Sequence, residues 1–132
     1  MNPPPLFIIR DDYIRLGLLL SSLGYARAGG VIEKLRGELA RATVVDAANA
    51  PADLVTMHAR VEFEYLDSGE IEDYVLVYPE RADAANGLLS ILAPVGTALL
   101  GLRAGDTIDW PTPGGIRRLR VRRVVQPVGT TT

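Results

Sequence analysis

His58 is the first residue to test for chemistry, because imidazole is the side chain that most readily moves protons or binds a metal near neutral pH. It is the only histidine of the chain and sits within the alternating run Val55 to Tyr65, on the polar face with Arg60, Glu62 and Glu64. No second ligand recurs at a matching spacing, so a solvated strand residue is expected. Ser90 lacks the flanking glycines of a nucleophile elbow, and Ser21, Ser22 and Ser68 fall at a helix end or a turn. The chain has no cysteine, which excludes thiolate catalysis, disulfides, iron–sulfur clusters and cysteine-built zinc sites. Glu62, Glu64, Glu70, Glu72 and Asp73 gather about one hairpin; together they have the chemistry to hold a divalent ion, but a solvated acidic face is the stronger expectation. Arg117, Arg118, Arg120, Arg122 and Arg123 have the chemistry to meet phosphates. With aromatic residues at 6%, however, there is no stacking ladder for single-stranded nucleic acid, and pairing with the acidic strands is expected instead. Gly101 to Gly105 lacks the Gly-Lys-Ser/Thr ending of a phosphate loop, and Gly114-Gly115 joins two strands, so these are turn glycines. No catalytic residue, cofactor or metal is expected.

The apolar spacing defines the elements that carry these groups. Asp11 and Asp12 are N-cap candidates for a helix in which Tyr13, Leu16, Leu20 and Leu23 follow at three, four and three; Ile32, Leu35, Leu39 and Ala42 repeat that pattern after a glycine-rich break from Gly24 to Gly30. Two short helices folding back as an antiparallel hairpin, a short coiled coil, are expected over residues 1–46, with a stalk of about 18 to 22 Å at the helical rise. A connector, Ala47 to Asp53, separates them from a second unit, residues 53–132. There the period becomes two: a long strand Val55 to Tyr65, a turn at Asp67 to Glu70, and a partner strand Ile71 to Tyr78. A short strand Leu88 to Leu92 precedes a two-turn helix that Pro94 opens and Gly101 ends. Strands Thr107 to Trp110 and Ile116 to Val125 follow, the last with a bulge where the apolar parity changes between Val121 and Val124. The fold class is α+β, with about five mostly antiparallel strands. Trp110 and Phe63 are expected to be at least partly buried.

Composition agrees with one globular chain of 132 residues, 48% hydrophobic and 23% charged. No apolar stretch approaches the roughly 20 residues of a membrane span, and Met1 to Pro5 lacks a basic leader, so a cytoplasmic location is expected. The charge is uneven. Residues 1–50 carry six basic and five acidic groups, residues 51–92 two and nine, and residues 93–132 six and two. Opposed patches point to a protein partner rather than to a nucleic acid bound on one basic face.

Ala93-Pro94, Ala98-Leu99-Leu100-Gly101, Gly105-Asp106 and Pro113-Gly114-Gly115 together resemble the C-terminal domain of the bacterial Gre transcript-cleavage factors. With Asp53-Leu54-Val55-Thr56-Met57, Leu76-Val77-Tyr78-Pro79 and Ala93-Pro94-Val95-Gly96, the likeness extends to their shorter relatives, the regulators of nucleoside diphosphate kinase. The resemblance implies an FKBP-like sheet domain after a coiled-coil hairpin, and binding to RNA polymerase at the rim of its secondary channel. It implies a protein-binding corner at Leu92, Ala93 and Pro94, of which only Pro94 matches the Gre pattern; Leu92 and Ala93 stand where those factors have Asp-Ser. In those factors the hairpin tip carries acidic residues to the catalytic magnesium. The tip here, Leu23 to Gly30, has Arg27 and no carboxylate, so a non-enzymatic monomer that competes with the cleavage factors is expected, without direct sequence-specific nucleic-acid contact. Prolyl isomerisation is the alternative, and would require aromatic residues converging on an open pocket; a module for another protein, the kinase included, is the third.

Overall fold

Strand alternation accounts for the core of the sheet. In the computed structural model, which describes residues 4–23 and 30–127, β3 (Arg60–Tyr65) buries Val61, Phe63 and Tyr65 and turns Glu62 and Glu64 outward. It is flanked by β4 (Ile71–Val77) and by the long β7 (Gly115–Val125), both antiparallel to it. β6 (Thr107–Thr112) pairs antiparallel with β7 and forms one edge, where Pro111 is tolerated because its missing N–H costs no ladder bond on the free side. The expected bulge is present: Glu62 faces Arg123 but Phe63 faces Val121, leaving Arg122 as the extra residue.

The expected, mostly antiparallel sheet is mixed: β3, β4, β7 and β6 pair antiparallel, but β5 (Leu88–Ser90) runs parallel to β4 at the other edge, after two single-turn 3-10 segments carry the chain back. The strand expected from Val55 begins only at Arg60. Val55, Thr56 and Met57 are buried in succession, and their N–H groups go to separate places: Val55 donates to the Leu102 carbonyl and Met57 to the Asp12 carboxylate. Apolar alternation through such a turn imitates a strand, because the segment is covered on both sides. Lastly, a two-stranded parallel ribbon, β1 (Phe7–Ile9) with β2 (Thr43–Val45), was not anticipated.

Between these strands lie α1 (Arg10–Leu23) and α2 (Val31–Arg41). Arg36 reaches the Leu20 carbonyl at 3.1 Å while Thr43 N–H donates to the Leu6 carbonyl, so the two helices run back along one another. Leu16 and Leu20 are buried and Leu23 is packed on the core, as are Ile32, Leu35, Leu39 and Ala42. Tyr13 is not in this seam: it is 39% exposed, and Asp12 takes the inward place. Because α1 starts at Arg10, Asp11 and Asp12 lie in its first turn, where carboxylates favour the helix dipole, and not at the cap. The tip residues 24–29, Arg27 among them, lie outside the described residues. One buried cluster joins both helices to the sheet through α3 (Pro94–Leu99), Leu102, Ile108 and Trp110. Gly101, at φ +83°, lies so close to Leu6 that a Cβ would collide with that side chain, which ties the N-terminal segment to the end of α3.

Candidate functional site

Pro94 shapes the corner between β5 and α3. It occupies the first turn of α3, and Ala93 before it is extended at φ −69° and ψ 144°, the conformation that a following proline favours. The corner is held from beneath. Leu92 N–H donates to Ser90 Oγ at 3.0 Å, Ala93 N–H to the Ser90 carbonyl at 3.0 Å, and Thr97 Oγ1 to the Ile91 carbonyl at 2.6 Å. Gly96 lets α3 lie on β5, because a Cβ there would strike the Ser90 carbonyl oxygen. Leu92 is half-buried against the core, while Ala93 and Pro94 face a pocket.

That pocket has a volume of about 290 Å3 and lies between the concave face of the sheet, the start of α3 and the β6–β7 turn. Phe63, Tyr65 and Tyr74 supply its aromatic walls, with ring centroids of Phe63 5.6 Å from Tyr65 in an edge arrangement and 6.3 Å from Tyr74 in a stacked one. The Arg117 guanidinium covers the Tyr65 ring at 3.9 Å and is gripped by Asp67 through two bonds of 3.1 and 3.0 Å. This pairing lowers the Asp67 pKa and raises that of Arg117, chiefly through the hydrogen bond in each case. Tyr65 donates to Glu72 Oε1 at 3.5 Å; burial first, and then the Glu72 charge, push the phenol up. The sequence places Tyr65 and Tyr74 on adjoining strands but gives no sign that they converge with Pro94 and Pro113; sheet curvature brings them together.

His58 is not on the strand's polar face. It stands at φ +71° in the turn before β3, half-buried, with its ring 5.6 Å from that of Tyr78. Burial lowers its pKa, and Arg15 and Arg81 act in the same direction. It borders a second, larger cleft of about 560 Å3 that also includes Asp12, Arg15, Thr56 and Gln126. Gln126 is committed to the wall of this cleft, accepting from Thr56 and donating to the Leu54 and Ala52 carbonyls. Asp12 was read only as an N-cap candidate and missed as a site-forming residue; an aspartate at the start of a helix carries no sequence signal for burial. Among the described residues no three His, Cys, Asp or Glu side chains group closely enough to hold a metal ion, and no helix is long and apolar enough to cross a membrane.

The arginines of β7 largely meet acids, as expected from the charge pattern. Arg118 pairs with Asp109, Arg122 with Glu62 and Glu64, and Arg60 of β3 with Asp73, while Arg120 and Arg123 have no ion pair among the described residues.

Comparison with known proteins matches two family models in succession: the Rnk N-terminus over residues 4–45, and the C-terminal part of transcription elongation factor GreA/GreB over residues 50–126. The regulator of nucleoside diphosphate kinase of Escherichia coli K12 is 44% identical over 113 residues, which covers 85% of this chain and 82% of that protein. GreA of Nitratidesulfovibrio vulgaris is 40% identical over 84 residues, covering 64% of this chain and 52% of that one. A solved GreA/GreB transcription elongation factor from Nitrosomonas europaea superposes with a TM-score of 0.73 at 43% identity, over 92% of this chain and 98% of that structure. With one model covering more than half of its length and a relative aligned over most of it, the chain belongs to the GreA/GreB family of transcription elongation factors, with an N-terminal segment of the Rnk kind.

Proposed function

We propose that this protein is a non-catalytic regulator of transcription that docks on RNA polymerase at the rim of the secondary channel, through the corner formed by Leu92, Ala93 and Pro94. In this reading residues 53–132 act as an FKBP-like docking unit and residues 1–46 as a short coiled-coil hairpin that occupies the channel entrance. As a monomer it competes there with the longer Gre factors, and altered transcription is the route by which nucleoside diphosphate kinase levels change. The observation that carries the reading is the corner itself. Its backbone is pinned by Ser90 and Thr97, so little freedom is lost on docking, and it borders an apolar pocket with Ala93 and Pro94 on the lip. The absence of carboxylates from Leu23 to Gly30 in the sequence supports a regulator that does not deliver a magnesium ligand.

Binding to core RNA polymerase tests the docking claim. Wild-type protein is expected to bind, and Ala93→Arg, at a position whose extended backbone any residue adopts, to bind at least about tenfold more weakly. Equal binding by the folded variant would remove the corner from the interface.

A second reading, prolyl isomerisation, is favoured by one observation: Phe63, Tyr65 and Tyr74 do converge on an open pocket. Acceleration of cis/trans exchange in an Xaa-Pro tetrapeptide, lost in Tyr74→Ala, would establish it. An uncatalysed rate at high protein concentration would dismiss it.

A further inference from the structure

The pocket beside the corner carries information about the chemistry of what docks there. At about 290 Å3 it lies at the lower limit of small-molecule sites and has room for one large side chain with its flanking backbone. Its walls are apolar or aromatic, with Tyr65, Tyr74, Leu89 and Val95 around the space and Phe63 behind them. The charges at its edge are unbalanced. Arg117, the one cation among the described residues that line it, is already engaged by Asp67, with Glu70 also 4.0 Å away. Glu72 lines the same pocket, half-buried, and among the described residues it has no ion pair; its one hydrogen bond is the long contact from the Tyr65 hydroxyl. A carboxylate without an ion pair in the lining of a largely apolar pocket favours a cation at that point and disfavours an acid.

We infer that the pocket receives one apolar side chain of the docked protein and that a lysine or arginine beside that side chain meets Glu72. This rests on the reading that the corner docks on RNA polymerase, and it adds the partner's local chemistry and a residue that selects for it. Glu72 thus acts as a specificity residue, while Tyr65 and Tyr74 supply the contact area.

Two probes separate this inference from the docking claim. The first is a titration of isotope-labelled full-length protein with N-acetyl-leucyl-lysine amide and, in parallel, N-acetyl-leucyl-glutamate amide, followed by amide NMR. Shifts are expected at Glu72 to Tyr74 and Ala93 to Val95, with the lysine peptide binding at least about threefold more tightly and the difference vanishing in Glu72→Gln. Shifts elsewhere only, or equal shifts from both peptides, would overturn the inference. The second is core polymerase binding by Glu72→Lys, with Glu72→Gln as the conservative control and circular dichroism confirming that both fold. A loss of at least about tenfold in the lysine variant and a smaller loss in the glutamine variant, both shrinking as salt is raised, are expected. If wild type binds polymerase and folded Glu72→Lys binds equally well, the pocket inference falls and the docking claim stands. If wild type fails to bind polymerase, the docking claim falls and takes this partner assignment with it.

Discussion

Asp12 shows how a single side chain joins the helical segment to the sheet and at what cost. Its Oδ2 accepts from the Met57 N–H at 3.0 Å, and the residue is only 7% exposed. Burial raises its pKa from 3.8 to about 6; the Met57 hydrogen bond and Arg15 oppose the shift, and Asp11 adds to it. A carboxyl that holds its proton more tightly when folded weakens the fold as pH rises. The penalty is absent below about pH 4, grows through the interval up to about pH 6 and is complete above it, at about 3 kcal/mol. Asp12→Asn keeps an acceptor for Met57 and removes the charge. Its denaturation midpoint is therefore expected to exceed that of wild type at about pH 7.5 and to match it near pH 4; a gap of the same size at both would contradict the assignment. Neither the burial of Asp12 nor the left-handed turn at His58 was legible in the sequence, since Asp12 accepts from the Met57 N–H and the His58 N–H donates to the Leu76 carbonyl, partners far away along the chain. The extended Ala93 was legible, because a following proline acts locally.

At the scale of elements, the seam of Leu16, Leu20, Ile32, Leu35 and Leu39 and the bulge beside Arg122 followed from residue spacing, because each is fixed by which side chains must face inward. The β1–β2 ribbon escaped notice, as three-residue strands are too short to display a period, and the parallel course of β5 depends on a connection whose path spacing does not encode. The convergence of Tyr65, Tyr74 and Pro94 was hidden for a related reason: register and curvature, and not separation along the chain, bring them together. Two substitutions test the packing. Gly96→Ala forces α3 away from the Ser90 carbonyl and should lower stability by about 1 to 3 kcal/mol, read from thermal midpoints; no change would mean that α3 does not lie against β5. Trp110 is 7% exposed on β6, with Lys34 Nζ of α2 5.7 Å from its ring, so Trp110→Ala should cost roughly 3 to 5 kcal/mol in chemical denaturation. An unchanged midpoint would place the indole outside the core.

For the whole molecule, the strong acidic and basic blocks of the sequence largely cancel where β3, β4, β6 and β7 lie side by side. Since these pairs are mostly exposed, they serve register and solubility more than stability. On the proposed function, what is left for a partner is the corner, its aromatic pocket and Glu72, which has no ion pair among the described residues. The helices share one buried cluster with the sheet, which gives the hairpin a set direction relative to that corner. α1 spans about 21 Å at the helical rise, a short reach for the stalk that the proposed function places at the channel entrance. Family membership places the chain among transcription elongation factors, and the sequence from Leu23 to Gly30 withholds the carboxylates that a magnesium-dependent cleavage step requires. The most direct test is to add the protein to stalled, backtracked elongation complexes, alone and together with a Gre factor, and to follow transcript length. The account predicts no shortening by the protein alone and a dose-dependent slowing of Gre-stimulated cleavage; shortening of the transcript by the protein alone, or undiminished Gre-stimulated cleavage at saturating protein, would contradict it.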